Sequence, residues 1–152
     1  MIDSIFETHL QVTDLDRSIK FYKKLGLTLA LHKPERRSAF FYVGERRDLL
    51  ALKELPKGQK LQPRHFAFGV QLDQLLTASD WLVEREIHPL PGFGKQEAPP
   101  EPFVHAWMPA ASVYFNDHDG NELEFMAWLD DEPQNLNHVP YLSEWNEIKA
   151  KK

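Results

Sequence analysis

The start of the chain alternates polar and apolar residues with a period of two, then shifts to a helical period. In Phe6-Glu7-Thr8-His9-Leu10-Gln11-Val12, Thr8, Leu10 and Val12 share one side while Glu7, His9 and Gln11 share the other. That is the pattern of a strand with one buried face. Leu15, Ile19, Tyr22 and Leu25 then recur at the spacing of an amphipathic helix. Thr13 or Asp14 can cap its start, Asp16 falls in the first turn, Lys23 and Lys24 in the last, and Gly26 stops it. Apolar segments at 27–31, 38–43 and 48–53 follow, broken by Pro34, Gly44 and Pro56-Lys57-Gly58, and read as three strands joined by turns.

The pattern then begins again. Residues 64–72 read as a strand with Phe66, Phe68, Val70 and Leu72 on one face and His65, Ala67, Gly69 and Gln71 on the other. A helix is expected over 73–85, with Leu75, Leu76, Trp81, Leu82 and Val83 as its apolar residues, and strands over 104–108, 112–116 and 122–128. Placing His9 on His65 brings the helix starts, Asp14-Leu15 and Asp73-Gln74, into rough correspondence. Strand, helix and three strands thus occur twice. The expected fold is α+β: two paired βαβββ modules, about residues 4–55 and 63–129, forming a curved, cup-shaped mixed sheet with helices outside and a cleft within. The modules make one domain over 1–129. Residues 130–152 are a C-terminal extension in which Tyr141-Leu142-Ser143-Glu144-Trp145 can form a short helix.

Composition narrows the function classes. A chain of 152 residues suits one domain, or two small halves sharing a core. The net charge is −5 and the basic residues are scattered, Arg36-Arg37 and Arg46-Arg47 being the densest pairs, so no nucleic-acid partner is expected. The absence of cysteine excludes disulfides, thiolate metal ligands and a cysteine nucleophile. No apolar run approaches the ~18 residues of a membrane span, and Met1-Ile2-Asp3-Ser4-Ile5 reads as no secretory signal. No membrane association is expected, and the expected location is cytoplasmic.

The polar strand faces carry the candidate chemistry. In Asn121-Glu122-Leu123-Glu124-Phe125-Met126-Ala127-Trp128, Leu123, Phe125 and Ala127 form the apolar side and Glu122, Glu124, Met126 and Trp128 the other. His9, His65 and Glu124, each on a strand and turned to the same cleft, suit a divalent metal with positions left open for water or substrate. Glu7 and Glu122 are expected beside it as a base or as partners of the ligands. Gln11, Trp107, Tyr114 and Trp128 are expected to contact the substrate. Residues 107–112 read as a tight connection between strands, with a substrate-covering loop as the alternative. Gly92-Phe93-Gly94-Lys95 and Ala98-Pro99-Pro100-Glu101-Pro102 read as an extended excursion, whose glycine spacing does not suit phosphate.

Two segments resemble the vicinal oxygen chelate superfamily, which includes glyoxalase I, bleomycin-resistance proteins, fosfomycin-modifying enzymes and extradiol dioxygenases. They are His9-Leu-Gln-Val-Thr-Asp-Leu-Asp-Arg-Ser-Ile-Lys-Phe-Tyr-Lys-Lys-Leu-Gly and Tyr114-Phe-Asn-Asp-His-Asp-Gly-Asn-Glu-Leu-Glu-Phe, the second with His118 where the family usually has proline. The resemblance spans about residues 5–129 and implies paired βαβββ modules with a metal bound at His9, His65 and Glu124. The fourth glutamate ligand of glyoxalase I falls on Leu50, or on Ala51 after a slip of one residue, and neither binds a cation. The resemblance therefore implies a three-ligand, glyoxalase-like metalloenzyme of lyase, isomerase or transferase type, holding Zn, Ni, Mn or Fe as a Lewis acid toward an oxygen-bearing small molecule. Its alternatives are a non-enzymatic binder of the bleomycin-resistance type and an extradiol dioxygenase. It also implies a homodimer.

Overall fold

The computed structural model describes residues 2, 4–94, 96–97 and 101–151. Lys95 of the glycine-rich stretch and Ala98, Pro99 and Pro100 of the proline-rich one lie outside the described residues. The chain forms two units, residues 1–64 with 117–121, and residues 65–116 with 122–152. Each holds a four-stranded mixed sheet with helices on it, so the expected α+β class with two βαβββ modules is the observed one. No helix among the described residues is long and apolar enough to cross a membrane.

In the first unit, β1 (Glu7–Val12), α1 (Leu15–Lys24), β2 (Thr28–Lys33), β3 (Ser38–Val43) and β4 (Asp48–Glu54) follow one another. The sheet order is β1-β4-β3-β2, with β1 parallel to β4 and the other pairs antiparallel. Leu10 and Val12 of β1 are buried, whereas Glu7, His9 and Gln11 are exposed, as the alternation requires. Asp14 caps α1, its carboxylate accepting from the Arg17 N–H at 3.0 Å. Leu15, Ile19 and Tyr22 bury the apolar stripe of that helix. Gly26, at φ +89, ends it.

The turn at residues 117–121 belongs to this unit, although in sequence it joins two strands of the other. Its polar residues are occupied by their own neighbours. Oδ1 of Asp117 accepts from the N–H groups of Asp119 and Asn121, each at 2.9 Å. Oδ2 accepts from Nδ2 of Asn121 at 2.7 Å and from the Tyr22 hydroxyl at 2.9 Å. Asp119 accepts from the Thr13 N–H at 3.0 Å and from the Thr13 hydroxyl, which sets a carboxylate at the start of α1. Burial, then the Asp117 carboxylate, raises the pKa of Tyr22 far above that of a free phenol, so its proton stays in place.

In the second unit, β5 (His65–Gly69), α2 (Leu72–Leu76), α3 (Ala78–Val83), β6 (Phe103–His105), β7 (Ala110–Asn116), β8 (Glu122–Trp128) and α4 (Leu142–Ala150) follow. The order β5-β8-β7-β6 repeats that of the first sheet, with β5 parallel to β8. Three expected elements are shorter than the periodicity suggests, one being the strand expected over 104–108, which runs only over Phe103–His105 before a turn at 106–109. The strand expected to run to Leu72 ends at Gly69, because Gln71 and Gln74 form a reciprocal capping box that starts α2. The helix expected over 73–85 divides at Thr77, whose φ of −107 and ψ of 3 leave the helical region and whose hydroxyl donates back to the Gln74 carbonyl.

The polar C-terminal segment is packed against the sheet edge. The Val104 N–H donates to the Pro140 carbonyl at 2.9 Å, and Phe103 bridges to Tyr141. Trp145 is fully buried, with its indole N–H on Oδ2 of Asp131 at 2.8 Å, and Nζ of Lys149 reaches the same carboxylate at 2.8 Å. Burial alone raises the Asp131 pKa, but the Lys149 and Trp145 hydrogen bonds outweigh it and hold the group below the usual carboxylate range. A depressed carboxylate stabilises the fold above its unfolded pKa of about 3.9 and loses that contribution as pH falls through the folded value. Stability is therefore expected to drop by about 1 kcal/mol below roughly pH 4. Acid titrations of Trp145 fluorescence check this, since Asp131→Asn should remove that share of the acid sensitivity.

Candidate metal centre

β5 and β8 place their polar faces side by side, pairing His65 with Glu122 and Ala67 with Glu124. His65 is half exposed and lies between the two carboxylates. Its Nδ1 is 3.1 Å from Oε1 of Glu122, and its Nε2 is 3.4 Å from Oε2 of Glu124. Glu122 is open to solvent, whereas the Glu124 side chain is only 4% exposed. Oε1 of Glu124 is completely enclosed and has no hydrogen-bond partner. Nε2 of His105 stands 3.4 Å from it, an ion-pair separation without hydrogen-bond geometry. A buried carboxylate oxygen left this way is costly unless some further group satisfies it.

Around Glu124 lies a polar cluster in which Tyr114, expected to contact the substrate, is joined by His105 and Ser112. Nε2 of His105 is 2.8 Å from the Tyr114 hydroxyl and 3.2 Å from Oγ of the fully buried Ser112. Burial pushes the Glu124 pKa up, but the polar groups of His105, Tyr114 and Ser112 beside it overcome that and leave the carboxyl below its ordinary range. Tyr114 shifts the opposite way. Burial, with Glu124 and Glu122 close by, raises its pKa well above that of a free phenol despite the Ser112 hydrogen bond. The site therefore joins an ionised carboxylate to a protonated phenol. The signal for this cluster was the alternation of Ser112 and Tyr114 with Val113 and Phe115 along β7, which turns the first two toward the face of Glu124.

The other expected site residues are placed as follows. His9 lies in the first unit, 61% exposed in its side chain, with Nε2 on the carboxylate of Glu7. Gln11 is exposed on the same face of β1 and pairs with Lys53 of β4. Trp107, in the turn between β6 and β7, and Trp128, at the end of β8, are 71% and 75% exposed. Tyr114 is half buried, its ring stacked on His65 at 6.2 Å between centroids.

The ladders also revise the internal alignment. Glu7 pairs with Leu49 as His65 pairs with Glu122, and on that equivalence the ends of β4 and β8 agree to within one residue. Placing His9 on His65 would instead set Asp48, the first residue of β4, on Asp119 of the turn before β8. The positional counterpart of His65 is thus Glu7, and that of Glu124 is Ala51, which cannot bind a cation. Matching by residue type misplaced the pair by two positions, a shift that leaves the strand faces unchanged and so is invisible to periodicity.

Among the described residues, no group of three or more histidine and acidic side chains is arranged so that it could hold a metal ion. The imidazole–carboxylate pair of the second unit nevertheless fits a divalent cation. Nε2 of His65 faces Oε2 of Glu124, Glu122 stands 3.1 Å from Nδ1, and the other Glu124 oxygen, Oε1, lacks a partner.

Comparison with known proteins agrees with this architecture. The family model described as the Glyoxalase/Bleomycin resistance protein/Dioxygenase superfamily matches residues 2–125, and the chain belongs to that family. A curated relative, the metallothiol transferase FosB of Staphylococcus saprophyticus, is 24% identical over 154 residues, covering 97% of this chain and 95% of its own. An integron cassette protein from the mobile metagenome of the Halifax Harbour sewage outfall superposes with a TM-score of 0.71 at 29% identity, over 83% of this chain and 99% of its own. The fosfomycin resistance protein FosX of Mesorhizobium loti shares the fold, with a TM-score of 0.58 at 17% identity, over 86% of this chain and 96% of its own.

Proposed function

We propose that the protein is a metal-dependent enzyme whose divalent cation, held by His65 and Glu124, activates an oxygen-bearing small molecule. The observation that carries this reading is Nε2 of His65 facing Oε2 of the enclosed Glu124 carboxylate at 3.4 Å, while the other oxygen, Oε1, has no hydrogen-bond partner. Membership of the superfamily supports it, and so does the relative named a metallothiol transferase, which favours group transfer over isomerisation. The cation would supply Lewis-acid stabilisation of negative charge on a substrate oxygen.

The chain's own residues have separate tasks. Glu122 stands 3.1 Å from Nδ1 of His65 and favours a proton on that nitrogen, which would leave Nε2 free to bind. Tyr114 keeps its proton and can donate a hydrogen bond to charge developing nearby.

Elemental analysis of freshly purified protein tests the reading. About one divalent ion per chain is expected, lost in His65→Ala. Tight binding of a planar ligand to metal-free protein, unaffected by a chelator, would instead support a non-enzymatic binder. Glu122→Ala is expected to weaken metal affinity about 10- to 100-fold, the usual effect of removing a ligand's outer partner. Competition with a fluorescent chelator measures it.

A further inference from the structure

The residue left unexplained by this reading is Phe93. It stands between Gly92 and Gly94 on the segment leading to β6, and its φ of +54 lies in the left-handed region that a residue with Cβ rarely adopts. The segment is tied to β7 just before it, where the Leu90 N–H donates to the Tyr114 carbonyl at 2.7 Å. It also runs tightly past Phe103, since a Cβ on Gly92 would come within 3.1 Å of that ring. Core packing does not account for the aromatic side chain, because Phe93 remains 47% exposed. Its ring meets three others edge to face: Phe103 at 4.9 Å, Tyr114 at 5.7 Å and His105 at 5.8 Å between centroids. Two of these, Tyr114 and His105, are the groups around Glu124, and Tyr114 also stacks on His65. An apolar ring, held in an unfavourable backbone conformation and left half open, thus borders the proposed metal centre.

We propose that Phe93 is a specificity-determining residue that selects substrates whose chelating oxygens are carried on an apolar, ring-sized group. The inference rests on the reading of His65 and Glu124 as a metal centre. A molecule held there by its oxygens lies next to Tyr114, and any part extending over Tyr114 meets the open side of Phe93. Water is excluded between two apolar surfaces, so a ring at that position gains affinity that a methyl group cannot.

Two hydroxamates separate the contributions, because acetohydroxamate and benzohydroxamate share one chelating head and differ only in the ring. With the zinc-loaded protein, calorimetry is expected to give tighter binding of benzohydroxamate. Phe93→Ala should reduce that preference by about 3- to 10-fold, the value of one aromatic contact, and leave acetohydroxamate within about twofold. Phe93→Gly, which relieves the left-handed backbone and so keeps the fold, should lose the preference equally, whereas Phe93→Tyr should retain it. An unchanged preference in both the Ala and Gly variants would overturn the role of Phe93 and leave the metal centre standing. If neither hydroxamate binds the wild-type protein, the metal centre fails and this inference with it.

Discussion

Glu124→Ala is expected to lower the affinity of the protein for its divalent cation by at least about a hundredfold, beyond the range seen when only a ligand's outer partner is removed. Three features make this the largest functional effect. The carboxylate is ionised, its pKa held down by His105, Tyr114 and Ser112 against the effect of burial, so no proton has to leave before it binds a cation. It is enclosed, so a cation bound to it is screened little by water. Its Oε2 faces Nε2 of His65 at 3.4 Å, and its Oε1 has no hydrogen-bond partner, so a cation displaces no bond from that atom. Glu124→Gln keeps the shape and removes the charge. Titration of both variants with zinc or manganese, beside circular dichroism of the metal-free proteins, separates lost binding from lost folding. Near-wild-type affinity in folded Glu124→Gln would show that the carboxylate is structural.

The largest stability effect is expected at Asp117. Its two oxygens accept four hydrogen bonds, from the backbone of Asp119 and Asn121, the Asn121 side chain and the Tyr22 hydroxyl, and the residue is 8% exposed. Asp117→Ala leaves these buried donors without an acceptor and frees the turn that Asp119 anchors at the start of α1. A loss of about 3 kcal/mol follows, on the order of 10 °C in Tm for a chain of this size. Tyr22→Phe deletes only one donor and should cost about 1 kcal/mol. Urea unfolding with both variants distinguishes the two, and equal midpoints would mean that the turn contributes no more than its single bond to Tyr22.

The sequence pattern placed β3 and β8 at their observed bounds, because each is a short strand-forming run closed by turn residues: Gly44 after β3, and Asp119-Gly120 before β8. It also assigned the buried and exposed sides of β1. What it could not show was set by hydrogen bonds, some local and some between distant segments. The apolar spacing continues through Thr77, so only the back-bond to Gln74 reveals the helix break. The equivalence of Glu7 with His65 depends on two parallel ladders whose partners lie more than forty residues away in sequence. The place of His105 beside Ser112 and Tyr114 follows from the antiparallel pairing of β6 with β7. Phe93 gave no signal at all, since a left-handed backbone at a phenylalanine between two glycines is a tertiary outcome.

Diffraction from crystals of the metal-loaded protein, recorded at the absorption edge of the bound element, tests the central claim most directly. The account predicts an anomalous peak about 2.0–2.2 Å from both Nε2 of His65 and an oxygen of Glu124. A peak elsewhere on the chain, with His65 and Glu124 contacting only protein and water, would contradict it.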